Sequence, residues 1–198
     1  MRTGVFYTAD LHIGHRLVAG LRGFEDPAGH DAELARRWDA RVAAADVVWL
    51  LGDISGGGRG SQQRALAWIA DRPGVKHLIP GNHDGAHPMH ESAHKVLPGY
   101  LEVFASVQQS ARRTLAGHPL LLSHFPYLGA EQDDGDRGAR FDQWRLPDRG
   151  AWLLHGHTHS AQRLSAPRSI HVGLDAWDLA PVSIDAIVQI IAGATKAD

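Results

Sequence analysis

Five short and mostly unbroken apolar runs set the limits on this fold: Val5 to Ala9, Val47 to Leu51, Val75 to Ile79, Leu120 to Leu122 and Trp152 to Leu154. Runs this short, without strict polar alternation, suit strands buried on both faces. Helical patterns lie between them. Residues 31–44 put Leu34, Ala35, Trp38 and Val42 on one face. Residues 61–71 start at Ser61, a good N-cap, and stop before Pro73-Gly74. A short helix from Pro88 is expected to end by Pro98-Gly99, and Ile184 to Ile191 reads as a helix capped by Ser183. Strands alternating with helices argue an α/β fold. Leu101 to Val107, Arg112 to Leu115 and Leu120 to Leu122 read as closely spaced antiparallel strands, so the sheet system is expected to be mixed.

The chain of 198 residues suits one domain, with no linker, repeat or separate cap domain expected. Cysteine is absent, which excludes disulfides, thiolate catalysis and iron–sulfur clusters. The formal charge of −2 leaves no broad basic field for stable nucleic-acid binding. No run has the length of a membrane span, and the N-terminal run lacks a signal-peptide pattern. A cytoplasmic location without membrane partners is the expectation. The 14 histidines are the informative excess.

Each of the five runs ends in His, Asp or Asn: Asp10-Leu11-His12, Gly52-Asp53, Gly81-Asn82-His83-Asp84, Ser123-His124 and Gly156-His157-Thr158-His159. In open α/β sheets the crevice lies beyond the carboxyl ends of the strands, so these clusters should converge. Asp10 and His12, like His157 and His159, are two apart, and extended backbone would point each pair to one side. Carboxylate, amide and imidazole donors without thiolate favour manganese, iron, zinc or nickel. Glycines 52, 81 and 156 would allow close approach of backbone.

The blocks DLH, GD, GNHD, SH and GHTH, in this order, resemble the calcineurin-like metallophosphoesterases. The resemblance extends from about Val5 to Ile187, and HVGLDAWDLAPVSIDAI is similar to the end of small single-domain bacterial and phage members. It implies a sandwich of two mixed β-sheets flanked by helices. It implies a first divalent metal on Asp10, His12 and His159, a second on Asn82, His124 and His157, and Asp53 bridging both. Manganese is the first choice, with iron, zinc or nickel as alternatives. A metal-bridging hydroxide would be the nucleophile, in-line at phosphorus. Two divalent ions outweigh Asp10, Asp53 and a hydroxide by one positive charge, which suits an anionic substrate. By the same resemblance His83 faces the phosphate. Many members carry an Asp three residues after the bridging Asp to orient that histidine. Here the position is Gly56, and Asp84 or a backbone carbonyl is the expected substitute.

Arg16 and Arg22 follow the first block closely enough to contact substrate, with exposed surface the alternative. The polar segment 125–150 carries Tyr127, Arg137, Arg140, Phe141 and Trp144, which would form one wall of a nucleotide pocket or pin the loop to the core. His90-Glu91-Ser92-Ala93-His94 fits the zinc-protease pattern H-E-x-x-H, but Pro98-Gly99 breaks its helix. Gly56 to Ser61 lacks the lysine of a phosphate loop. The function expected is therefore hydrolysis of a phosphodiester, with a nucleotide such as a 2′,3′-cyclic nucleotide as substrate. A phosphomonoesterase of the same fold and a non-catalytic interaction scaffold are the alternatives.

Overall fold

The computed structural model describes residues 3–129 and 140–194. Two five-stranded sheets form it. The first has β1 (Val5–Thr8), β2 (Val47–Leu50), β3 (Val75–Leu78), β4 (Ser106–Val107) and β10 (Val182–Ser183), in the order β10-β1-β2-β3-β4. The second has β5 (Ala111–Leu115), β6 (His118–Leu122), β7 (Trp152–His155), β8 (Leu164–Ala166) and β9 (Ser169–His171), in the order β5-β6-β7-β9-β8. Both are mixed. β10 runs antiparallel to β1, and β5 and β8 run antiparallel to their neighbours, while the inner pairs are parallel.

Alternation along β2 explains why its residues are apolar throughout. Trp49 joins Tyr7, Leu120, Leu122, Trp152 and Leu154 in the core between the sheets. Val48 and Leu50 face the other way, against Leu34 and Trp38 of α2 (Pro27–Asp39), Ala65 and Ile69 of α3 (Arg59–Ala70) and Tyr100 of α4 (Ala93–Leu101). A strand covered on both faces has no polar face to alternate with. The inter-sheet core also takes in Ile187 and Ile191 of α5 (Ile184–Ala194), whose first turn is capped by Ser183 Oγ at 3.4 Å from the Ala186 amide. Among the described residues no helix is long and apolar enough to cross a membrane.

Several boundaries differ from those read in the sequence. α2 starts four residues early because Asp26 caps Gly29 and Pro27 occupies the first turn. It ends at Asp39, leaving Val42 buried beyond the helix. α3 begins at Arg59 behind Gly58, and Ser61 accepts a bond from Arg64 instead of capping. α4 runs through Pro98. That ring removes one helical bond, but Tyr100 beyond it is buried and donates its hydroxyl to Gln62 at 2.6 Å, so tertiary packing overrides the break. The stretch 101–107 is not an antiparallel strand. Leu101 ends α4, and β4 is a two-residue parallel partner of β3.

The inner strands of both sheets end on one side of the molecule. Thr8, Leu50 and Leu78 are in register, as are Leu122 and Leu154. The two sheets meet there, where the Leu174 amide donates to Ala9 O at 3.2 Å and the His157 amide donates to the Asp10 carboxylate at 3.1 Å. Asp84 ties two of the turns together. Its carboxylate is fully buried and accepts from the amides of Gly81 (2.8 Å), Asp53 (2.9 Å) and Ile54 (3.0 Å). Asp84→Asn is therefore expected to cost about 2–4 kcal/mol in urea unfolding, since it replaces charge-assisted bonds and turns an amide toward buried N–H groups. A loss under about 0.5 kcal/mol, typical of an ordinary surface substitution, would contradict that role.

Candidate metal centre

Five of the nine non-glycine residues with positive φ among those described gather at the strand ends. Asp10, His12, Asp53, His157 and His159 all have positive φ, between 48° and 72°. Non-glycine residues take this left-handed region at a cost, and they cluster where function demands it. The pairs Asp10/His12 and His157/His159 thus reach one place through left-handed turns, not through the alternation of extended chain.

Two groups of donor atoms result. Ligand atoms of Asp10, His12 and His159 lie within 4.8 Å of one another, and so do those of Asp53, His124 and His157. His12 Nε2 and His159 Nε2 stand 3.1 Å apart. Asn82 Oδ1 lies 3.1 Å from His124 Nε2, which brings the amide to the second group. Asp53 Oδ2 lies 3.6 Å from His124 Nε2, 3.9 Å from His12 Nε2 and 4.0 Å from His83 Nε2. The structure thus brings all seven sequence-predicted ligands and His83 into one cluster. The glycines serve packing around it. A Cβ at Gly81 would collide with the Asp53 carboxylate, and one at Gly156 would collide with Ala9 and the Asp10 carboxylate.

The electrostatics call for positive charge. Burial pushes the Asp53 carboxyl well above the usual range, and the neighbouring Asp84 and Asp10 carboxylates push it further. Burial raises Asp84 to about 6 against the pull of its three amides. Burial also lowers His124 to about 4 and lowers His12 and His157, which keeps these imidazoles neutral, the form that binds a metal. His12 Nδ1 is buried with no hydrogen-bond partner among the described residues. His124 Nδ1 donates to Leu51 O at 2.7 Å, which turns its Nε2 lone pair into the cluster. Neutral imidazoles and carboxylates around one buried space fit divalent cations of the borderline class.

The predicted substrate contacts fare less evenly. Arg22 is not available to substrate: its side chain is 3% exposed and its guanidinium is spent on Asp175, Asp10 O and Leu11 O. Tyr127 is also buried, with its hydroxyl donated to Ala151 O at 2.9 Å, so it forms no pocket wall. Arg16 lies on the exposed face of α1 (Arg16–Leu21). Phe141 pins its segment, stacked on Phe125 at 5.0 Å and edge-on to His157 at 5.3 Å. Trp144 is half-buried against His87. Arg140 is exposed over the Phe141 ring; His83 is lowered chiefly by burial, with the neighbouring His15 and His159 and then the Arg140 charge adding to it. Arg137 lies outside the described residues.

Two further expectations change. Asp84 does not orient His83, because both its oxygens are committed to backbone amides. The space beside Gly56 is filled by His15, on whose ring a Cβ at residue 56 would land. His90 and His94 do not share a helix, since α4 starts at Ala93, and His90 Nε2 instead meets Asn82 O at 3.0 Å. Sequence reasoning missed Asp175 and His171. Asp175 bonds His159 Nδ1 at 3.0 Å, and His171 is fully buried with Nε2 3.8 Å from Asp10 Oδ2. A carboxylate within the buried run Val172 to Ala176 was the available signal for the first.

Comparison with known proteins bears on the family and the fold. The family model for calcineurin-like phosphoesterase matches residues 5–161. The chain is 46% identical to the Gene 66 protein of Mycobacterium phage L5, over 96% of this chain and 94% of that protein. It is 49% identical to the Gene 66 protein of Mycobacterium phage D29, over 91% and 92%. The uncharacterized protein MJ1445 of Methanocaldococcus jannaschii is 24% identical over 94% and 90%. Among solved structures, a protein of unknown function, AQ665 from Aquifex aeolicus, superposes with a TM-score of 0.67 at 20% identity, covering 96% of this chain and all of that one, which shows a shared fold. With the family model spanning most of its length and the phage proteins nearly half identical along it, this chain belongs to the calcineurin-like phosphoesterase family.

Proposed function

We propose that this phosphoesterase hydrolyses a phosphodiester of a nucleotide at a two-metal centre, in the cytoplasm, with a 2′,3′-cyclic nucleotide as a suitable substrate. Asp10, His12 and His159 would hold one ion. Asn82, His124 and His157 would hold the other, and Asp53 would bridge them. The supporting observation is the place of Asp53, whose Oδ2 lies between the two donor groups, 3.9 Å from His12 and 3.6 Å from His124. Two divalent ions, manganese in this proposal, would supply Lewis acidity at the phosphoryl oxygens and a nucleophile at neutral pH.

The chain's own residues do the rest. The turns at both sheet ends hold the donors in place before substrate arrives, so little reorganisation is needed at the moment of reaction. His83 stands at the mouth with its side chain 45% exposed, and presents its ring to an incoming phosphate. Arg140 beside it adds positive charge for an anionic substrate. Phe125 and Phe141 exclude water from the side of His157.

Turnover of a nitrophenyl phosphodiester and of the matching monoester, in manganese, tests the reading. Diester hydrolysis is expected, with a loss of at least ~10²-fold in Asp53→Asn. His83→Ala should lower kcat by about 10²-fold or more while metal content stays unchanged. Hydrolysis of the monoester alone would move the substrate to phosphomonoesters. Loss of neither activity in Asp53→Asn would overturn the centre. Metal should also stabilise the fold: at a hundredfold excess over Kd each site adds about 2.7 kcal/mol. Thermal unfolding should therefore shift upward with manganese and return with a chelator. An unmoved transition would count against metal binding altogether.

A further inference from the structure

We propose that Asp175, gripped by Arg22, is the positioning residue that fixes His159 as a ligand and so sets the affinity of the outer metal position, formed by Asp10, His12 and His159. The inference rests on the two-ion reading above.

His159 needs such a device. Its side chain is 37% exposed, so packing does not hold the ring, whereas His124 at the inner position is 1% exposed and anchored on Leu51 O. Asp175 Oδ2 accepts from His159 Nδ1 at 3.0 Å. That bond places the proton on Nδ1 and leaves the lone pair on Nε2, the atom turned toward His12. Asp175 is itself fixed. Arg22 Nε donates to Oδ1 and Nη2 to Oδ2, each at 2.8 Å.

The same guanidinium holds the opposite wall of the outer position. Arg22 Nη2 donates to Asp10 O at 2.8 Å and Nη1 to Leu11 O at 3.3 Å. Nη1 also meets His30 Nε2 at 3.1 Å, and His30 Nδ1 meets Asp31 Oδ1 at 2.9 Å. Asp31 Oδ2 accepts from the Gly14 amide at 2.9 Å, closing the chain of bonds back onto the loop that carries His12. All three outer ligands are thus referred to one buried cation, which touches none of the inner ligands among the described contacts. An amide in place of the Asp175 carboxylate cannot serve both neighbours. With its NH2 toward Arg22 it opposes a cation, and with its NH2 toward His159 it donates to Nδ1 and drives the ring proton onto Nε2, which then cannot ligate.

The test counts ions instead of turnover. Wild type, Asp175→Asn and His159→Ala are titrated with manganese alone, and free manganese is read by electron paramagnetic resonance. Wild type is expected to bind two ions. Asp175→Asn should weaken one class of site about 10–100-fold and leave the other unchanged, and His159→Ala should act on the same class. Unchanged affinities in Asp175→Asn, or equal weakening of both classes as a general structural defect would give, overturn the proposal. Should Asp175→Asn fail to fold, the zinc-loaded wild type decides through its long-range ¹H–¹⁵N histidine spectrum. His159 protonated at Nδ1 is the expected tautomer, and protonation at Nε2 overturns it. Fewer than two ions in the wild type would defeat the two-ion reading itself, and this inference with it.

Discussion

The left-handed turns at Asp10, His12, Asp53, His157 and His159 are the constraint on which the rest depends. Each costs on the order of 1–2 kcal/mol relative to ordinary backbone. None would persist in an isolated strand end. Four of them are held through their amides, those of Asp10 and His12 by Gly52 O and Asp53 O and the other two by buried carboxylates. Asp84 takes the amides of Asp53, Ile54 and Gly81, and Asp10 takes the amide of His157 with both oxygens. Two carboxylates therefore stitch turns from different strands, and in the case of Asp10 from different sheets. The apolar cores on both faces of the first sheet supply the stability against which this local strain is held.

Parallel strands make such economy available. β1, β2, β3, β6 and β7 all end at one edge, so each contributes a single turn and the donor set needs no dedicated loop. Glycine at 81 and 156 lets those turns approach to within carboxylate contact. The neutral state of the buried imidazoles follows from the same crowding, since burial removes the water that would solvate a charged ring.

Much of this was legible in the sequence, and the physical reason is periodicity. The strands that read clearly are those buried on both faces, such as Val47 to Leu51, because continuous apolar runs between turn residues admit few alternatives. β10 and β4 are two residues each and carry no period to detect. The end of α4 is not legible locally, because Pro98 is a local signal, while Tyr100, which holds the helix beyond it, acts through Gln62 38 residues away. The cluster was legible because five polar blocks in a row each close an apolar run, whereas one such block alone would read as an ordinary turn. The roles of Arg22 and Tyr127 are not legible, because an arginine or tyrosine near a site looks the same in sequence whether its polar atoms face substrate or backbone. Their burial depends on partners, Asp175 and Ala151, that lie 153 and 24 residues on.

Arg22 and Asp175 also show why a buried ion pair need not be explained by stability. Desolvating a guanidinium and a carboxylate costs several kcal/mol per ion, and their attraction repays about that much, so an apolar pair of the same volume would serve the fold comparably. An apolar pair could not hold the proton on His159 Nδ1, nor donate to Asp10 O and Leu11 O from one rigid plane. The fork geometry of arginine matches two carboxylate oxygens on one edge and backbone carbonyls on the other. Its planarity transmits position between a turn of the first sheet and the turn after β9 without a flexible link. The pair is placed where direction matters and packing is weakest, behind the one exposed histidine of the cluster's outer half.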